Sequence, residues 1–467
     1  MNAILEGKVT PTLTKMSVPI SIGMLSTFLF QVIDTYFVGQ LGGDALAALS
    51  FASVVYFIIV GTFMGLSIGV STLVGKAIGE KNFLKMEQII ITSLLFTLFT
   101  SVGASVFIDV SQATLFTWLG APSEMLPLID QYMHTLMIGI PLLTIGLLMG
   151  SILRASGSVS QPEIVMAVAG VINLVLDYGL IFGKWGLPEL GITGAALATV
   201  ISWVFVLIMM SLLFLNQSIL KLNFSITTIP FTQHLRDILQ IGVPTMLSNL
   251  VSPLTQLFLT LLLAYHSSMA VAAFGVAGRI EMLSLIGILG VSTAITPFIA
   301  QNLGAELKDR IDKAIVFGGK AAVYLGIIVV LILFIFNQNI AQLFSDDLTV
   351  IDYTSDYFIW VSVSYIFYGL FLVTTSILNG LQKPQQSLQI MVIKTLVFTV
   401  PLALIGSYFY EVIGIFMGIG LSNILGGIYA SYMMRKEINN SSSSLKGVDI
   451  LQDYKNDFIV RNTAKPL

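Results

Sequence analysis

The chain contains no cysteine. Disulfides, thiolate metal sites and thiol nucleophiles are therefore excluded. Charge is scarce as well: Asp, Glu, Lys and Arg together make up 10% of the 467 residues, against about 25% in a soluble domain. So little charge cannot keep a protein surface in water, but it suits a surrounding of acyl chains. The three histidines, His134, His234 and His266, lie far apart in sequence, so no helical pair suggests zinc. No phosphate-binding P-loop is found and no nucleophile–base pattern points to an enzyme, so an ion gradient is the expected energy source. A signal-peptide pattern is also missing, because Glu6 and Lys8 interrupt it and the first apolar run continues; the first span is expected to be retained. The net charge of −3 argues against nucleic acid as a partner.

Apolar residues, in contrast, make up 56% of the chain. A spanning helix needs about 20 mostly apolar residues, and twelve such runs are read: 15–38, 45–74, 89–108, 126–152, 162–182 and 192–215, then 238–264, 270–299, 314–336, 357–378, 388–409 and 412–434. The short alternating segments of a barrel are not the pattern here. Basic residues follow the even-numbered spans (Lys76, Lys81 and Lys85; Arg154; Lys308, Arg310 and Lys313; Lys383), whereas the odd connectors carry Asp44, Asp109, Glu124, Asp346 and Asp347 with Lys184. Positively charged connectors stay cytoplasmic, so both termini are expected there. Beyond Glu437 the chain turns polar, with Asn439, Asn440 and four serines. This reads as a flexible extension, with a weak helical pattern at 448–460.

A shift of 225 residues superimposes the sequence on itself. Val18-Pro19 falls on Val243-Pro244, Gln31 on Gln256, Thr35 on Thr260, Gly65 on Gly290 and Gly79 on Gly304. From Met16 to Gly79, 13 of 64 positions are identical without a gap. Apolar composition inflates such matches, but Pro and Gly in step over two helices are harder to obtain by chance. Six spans per repeat place both halves in the membrane in the same sense, a construction used by secondary transporters with a cavity between two rocking halves. The predicted fold class is an all-α polytopic membrane protein with twelve transmembrane helices in two pseudo-symmetric six-helix lobes. Residues 1–218 would form the N-lobe, 219–237 a cytoplasmic inter-lobe connector, 238–436 the C-lobe and 437–467 a cytoplasmic polar tail.

Ionisable side chains inside spans cost roughly 2.5–3.5 kcal/mol each on the insertion scale and mark functional positions. The first half has two deep ones, Asp34 in span 1 and Asp177 in span 5. Asn173 shares a helix face with Asp177. In the second half, Leu259 stands where Asp34 falls, and Thr399 close to where Asp177 falls. Two carboxylates in a low-dielectric bundle disfavour each other's charge and titrate as a unit, which suits proton coupling. The same oxygens, with Asn173 and Thr199, could instead ligate a sodium ion, which needs roughly five or six oxygens by analogy with other hard cations. A satisfied network that only ties spans 1 and 5 together is the plainer alternative. Pro19, about four turns before Asp34, removes a backbone hydrogen bond and favours a kink; it is a hinge candidate, although Pro244 repeats it without an acid. Tyr132 in span 4 could reach the same network. His134 reads as a satisfied bundle residue rather than a proton relay, and Met64, Met133 and Met137 could line an adaptable pocket, although most methionines here are simply membrane core. In the second half Arg279, Glu281 and Lys394 form a candidate C-lobe charge network that supports the half, with a substrate role as the alternative; Arg279 and Glu281, two apart, do not face each other on a helix, and either could pair elsewhere, for instance Glu281 with Lys394.

With these residues in hand, the chain resembles the multidrug and toxic compound extrusion (MATE) family over nearly its whole length, to about Met434. The stretch Val32-Ile33-Asp34-Thr35-Tyr36-Phe37-Val38-Gly39-Gln40-Leu41-Gly42 followed by Ala45-Leu46-Ala47-Ala48 is similar to the family's helix 1–2 signature. Leu153-Arg154-Ala155-Ser156-Gly157, Asn173-Leu174-Val175-Leu176-Asp177 and the run from Gly191 to Thr199 resemble its other motifs. The resemblance implies two lobes in a V and antiport of cationic or amphiphilic compounds against protons or sodium. Span 7 has no carboxylate and span 10 has only Asp352 and Asp356 near its outer end, unlike the NorM-like branch. The N-lobe set Asp34, Asn173, Asp177 and Thr199, with Tyr132 nearby, instead matches the DinF-like branch, in which protonation of the helix 1 acid is linked to bending at the matching proline.

The function expected is therefore proton-coupled multidrug efflux across a bacterial inner membrane. No cofactor beyond the coupling ion (H+, or Na+ at Asp34, Asn173, Asp177 and Thr199) is expected, and no obligate protein partner. Partners are small drug-like substrates and membrane lipid. Sodium coupling at the same site is the alternative within transport. A lipid-precursor flippase would need a cavity rich in Arg and Lys for phosphates; deep in the spans there are only Arg279 and Lys394, which disfavours it. A channel would conduct without saturable exchange.

Overall fold

The computed structural model describes residues 3–217 and 230–441. Among these, twelve long helices follow one another: α1 (Val9–Gly39), α2 (Gly43–Gly79), α3 (Phe83–Trp118), α4 (Leu126–Ala155), α5 (Ser160–Phe182), α6 (Ile192–Asn216), α7 (Phe231–His266), α8 (Ser268–Gly304), α9 (Lys308–Ile335), α10 (Leu348–Gly380), α11 (384–409) and α12 (412–441). α11 and α12 form one nearly continuous 56-residue helical stretch to Asn439. It is broken where Tyr410 and Glu411 leave helical geometry, Glu411 with φ at 50°, so twelve spans result. Helices suit this setting because acyl chains offer no hydrogen bonds and each backbone group must be satisfied within its own segment. Ends are satisfied locally: Asn82 accepts the Lys85 N–H at 3.0 Å, Ser267 caps α8, and Asp347 caps α10.

The helices outrun their apolar stretches. α7 begins at Phe231, not at 238, so part of the connector expected over 219–237 is helical; residues 218–229 lie outside the described set. α12 extends to Ser441, past the boundary expected at 436, and the tail helix read at 448–460 lies outside the described residues. The reason is physical. Hydropathy marks the acyl slab, but a helix continues into the polar zone when its side chains find partners. His234 bonds Gln88 at 3.0 Å, and Glu437 takes Lys383 and Gln386.

Two hydrophobic cores result. One gathers buried residues from Val38 to Phe214, the other residues from Leu259 to Met434. Two helices cross between them. The first half of α1 (Val9, Leu13, Met16, Ile20) is buried in the second core, and the start of α7 (Ile238, Ile241) in the first. Call the end carrying Lys76, Lys81, Arg154, Lys308 and Lys383 the basic end, and the other the acidic end. The close approaches between halves lie toward the basic end. There Gly79 on α2 meets the Gln301 carbonyl on α8, and its repeat counterpart Gly304 meets the Lys76 carbonyl. A side-chain carbon at either glycine would fall onto that oxygen. Gln301 also donates to the Ala155 carbonyl, and Arg310 ties the single N-terminal turn (Ala3–Glu6) down through the carbonyls of Ile4 (2.6 Å) and Gly7 (2.7 Å).

Candidate functional site

Asp34 and Asp177 each stand five residues before the last residue of their helix, α1 and α5. Both helices run toward the acidic end, so the two carboxyls arrive at one depth. They lie within hydrogen-bonding reach of each other. Asp177 is fully buried. Asn173, one turn earlier on α5, points its amide nitrogen at the Asp177 carboxylate (3.4 Å) and at the Thr199 hydroxyl of α6 (3.4 Å); Thr199 itself donates to the Ala195 carbonyl at 3.0 Å. Two atoms are left over. Asp34 Oδ1 and Asp177 Oδ2 are buried and accept no hydrogen bond from any described residue. Buried acceptors without a donor cost free energy, so this pocket holds a standing demand for a proton or a cation.

Tyr132 on α4 is buried at 7% exposure and lies within electrostatic range of both carboxyls. Tyr56 on α2 also neighbours Asp34, while its ring stacks on Trp203 at 6.1 Å. Sequence reasoning passed over Tyr56, since a tyrosine in a span is ordinary. A signal did exist: under the 225-residue shift Tyr56 falls on Glu281 and Tyr132 on Tyr357. α1 is a continuous helix through Pro19. His134 pairs with Asp109 at 2.8 Å, away from the carboxyls, and Met133 and Met137 are core, whereas Met64 is 44% exposed.

The matching place in the second half is a cavity of about 600 Å³. Arg279, Glu281 and Lys394 all line it. Arg279 and Glu281, two apart on α8 and not expected to face one another, both reach it. Glu281 accepts from the hydroxyls of Tyr357 (2.6 Å) and Tyr365 (2.9 Å). The Glu281–Lys394 pairing, one of those the sequence allows, is an attraction at a distance and not an ion pair: the Lys394 ammonium instead lies over the rings of Tyr368 (5.1 Å) and Phe371 (5.3 Å). Lys394 rides on a π-helical segment, Ile393–Thr399.

Two bundles of six membrane-crossing helices, related by an internal repeat, with buried acids in one half and a polar cavity in the other, define a two-lobed multi-pass membrane transporter. The MatE family model matches residues 19–179 and again 244–405, one match per repeat, and the chain belongs to the MATE family of transporters, which are not enzymes. It is 33% identical over 435 residues to a FAD transporter of Shewanella oneidensis, covering 93% of this chain and 96% of that one. It is 26% identical to the probable multidrug resistance protein YoeA of Bacillus subtilis over 70% of this chain and 72% of that one. Identity to the multidrug export protein MepA of Staphylococcus aureus is 24%, over 92% and 95%. Among solved structures, the Vibrio cholerae MATE transporter VcmN in its bent form superposes with a TM-score of 0.87 at 27% identity, covering 92% of this chain and 97% of that one. An outward-facing MATE family transporter shares the fold with a TM-score of 0.89 at 24% identity, over 95% and 99%.

Proposed function

We propose that this chain is a proton-coupled efflux antiporter of the DinF-like branch, coupled at the Asp34–Asp177 pair and placed in a bacterial inner membrane with both termini cytoplasmic. With the basic end inward, the glycine-mediated closure seals the cytoplasmic side, and the acids wait toward the outer side. The observation that carries the reading is the pair of orphaned carboxylate oxygens, Asp34 Oδ1 and Asp177 Oδ2. One proton shared between the facing carboxyls would satisfy the pair. Sodium would need about five or six oxygens, and Asn173 turns its amide nitrogen, a donor, toward the site. The proton is thus the better fit. Protonation of Asp34 removes its charge and lets it donate to Asp177. Asp34 then pulls on the outer part of α1, which bends near Pro19; the N-lobe space narrows and a cationic or amphiphilic compound leaves outward. The lobes then rock, and the proton is released to the cytoplasm.

The test is export of ethidium by purified protein in liposomes under a pH gradient without sodium. Wild type should export, and Asp34→Asn should lose at least about tenfold of the rate, the equivalent of ~1.4 kcal/mol. Full export by Asp34→Asn would sink the mechanism. Export by wild type only under a sodium gradient would make the same pocket a cation site.

A second reading concerns cargo. The 33% identity with a FAD transporter and the two basic residues of the C-lobe cavity favour an anionic cofactor as the exported compound. FAD loaded into the same liposomes, in place of ethidium, discriminates between them.

A further inference from the structure

From the geometry we infer that the N-terminal turn, Ala3–Glu6, is a strap that locks the two lobes together at the basic end and must let go of one of them before that end opens. The turn stands apart from α1, because Lys8 between them has extended backbone (φ −61°, ψ 132°). It is folded tightly against the start of α1: a side-chain carbon at Gly7 would lie 2.6 Å from the Ala3 carbonyl oxygen and 2.7 Å from the Thr12 hydroxyl. One residue of the strap faces both lobes. The Ile4 side chain is 2% exposed and shares a buried cluster with Val159. Its terminal methyl comes within 3.5 Å of the place where a Gly157 side chain would begin. Gly157 and Val159 belong to the first lobe, in the connector between α4 and α5. The Ile4 carbonyl is held from the second lobe instead, by the Arg310 guanidinium on α9 (2.6 Å) and the Asn302 amide on α8 (3.3 Å).

The clamp is dedicated to the strap rather than to the scaffold. Arg310 also donates to the Gly7 carbonyl (2.7 Å) and to the Asn302 side-chain oxygen (2.8 Å), which turns the Asn302 nitrogen toward Ile4. A planar guanidinium fork suits several acceptors at once. The repeat shows what the scaffold alone requires. Lys76 stands where Gln301 falls, and each crosses between the lobes, Lys76 to Gln382 at 3.1 Å and Gln301 to the Ala155 carbonyl. The clamp itself is not repeated: Ala77 stands where Asn302 falls, and Lys85, where Arg310 falls, pairs with Glu80 at 3.6 Å. Gln382 stands where Gly157 falls and carries a side chain on the same left-handed backbone (φ 60° against 97°). The turn thus does not by itself demand glycine at 157, whereas the room that Ile4 fills does. Charge-assisted hydrogen bonds are stronger than an apolar contact of one side chain. The strap therefore stays with the second lobe, whose core also holds the first half of α1, and the Ile4 contact with Gly157 and Val159 is the one that parts. The inference rests on the reading that the lobes rock open at the basic end, but not on proton coupling.

The test reads access, with no gradient and no cargo, so that failure here is separate from failure of coupling through Asp34. The chain has no cysteine, so single cysteines in the full-length protein report cleanly to a membrane-impermeant maleimide added from the basic side. Ser252→Cys in the C-lobe cavity should label about tenfold faster once residues 3–6 are deleted, and again with Arg310→Gln, each variant checked by thermal unfolding. Ile4→Cys should label slowly on its own, and in the Gly79→Val background it should speed up together with Ser252→Cys. An unchanged Ser252→Cys rate in both the deletion and Arg310→Gln would overturn the inference; if Gly79→Val still speeds that rate, the strap fails while the exporter reading stands. Rapid labelling of Ile4→Cys alone, or Ile4→Cys that stays protected while Ser252→Cys speeds up, would overturn it too. So would equal acceleration from the acidic side, since the strap would then only hold the fold together.

Discussion

Two oxygens dominate the account at the residue scale. Asp34 Oδ1 and Asp177 Oδ2 are buried acceptors with no donor among the described residues. An unmet buried acceptor costs about 1–3 kcal/mol, and two facing carboxylates add repulsion. In the proposed coupling, relief of that cost is what makes an incoming proton matter. Asp34→Asn supplies an amide N–H at the same place and should therefore stabilise the protein while silencing it. The expected gain is about 1 kcal/mol, or roughly 2 °C in the unfolding temperature, measured on detergent-purified protein at neutral pH. A lower unfolding temperature would mean that the carboxylate is already satisfied. Asp34 and Asp177 were legible in the sequence because a charge inside an apolar run has few innocent explanations. Tyr56 was not, because span tyrosines usually pack. The partners of Glu281 were not legible, because sequence spacing does not say that tyrosines on α10 reach the carboxylate first.

At the scale of elements, α2 and α8 matter most. Gly79 and Gly304 occupy the same position in the two repeats, and each lets the other helix's backbone pass at van der Waals contact. Gly79→Val should wedge this contact apart. Overpacking costs about 1–3 kcal/mol, enough to shift the closed state by about tenfold. The chain has no cysteine of its own, so a single Ser252→Cys in the C-lobe cavity reports access without background. In the Gly79→Val background its labelling by a membrane-impermeant thiol reagent from the basic side should speed up by about tenfold. An unchanged rate would show that the two glycines do not form the closure. Helix positions were legible to within a turn or two for most spans, including the break at Tyr410-Glu411 between runs ending at 409 and starting at 412. The end of α3, at Trp118 rather than 108, and the start of α10, at Leu348 rather than 357, were not, because polar helical turns such as Asp109-Val110-Ser111-Gln112 carry no hydropathy signal. The π-helical turn in α11 was also invisible, since nothing in Ile393–Thr399 marks it by composition.

At the scale of the molecule, a duplicated scaffold has been given unequal chemistry. The repeat positions of Tyr132 and Tyr357 are both tyrosine, but the acids sit on α1 and α5 in one lobe and on α8 in the other. Duplication was readable from Pro and Gly in register. The exchange of helix halves between the two cores was not, because a shift in sequence says nothing about which core a helix enters. Ile20 and Ile241 are both simply apolar until packing assigns them. α1 thus links the two lobes: its first half is held by the second core while its acid belongs to the first, so a charge change at Asp34 can be felt by both.

In the proposed cycle cargo and proton exclude one another, because protonation at the Asp34–Asp177 pair bends α1 and narrows the N-lobe space that holds the cargo. The direct measurement is proton release from purified, weakly buffered protein when ethidium is added, followed with a pH-sensitive dye. Binding linkage requires that a cargo displacing a proton be itself displaced by protons to the same extent. Wild type should release about one proton per bound ethidium, and Asp34→Asn should release none while still binding. Ethidium binding to wild type without proton release, or equal release from Asp34→Asn, would contradict the account.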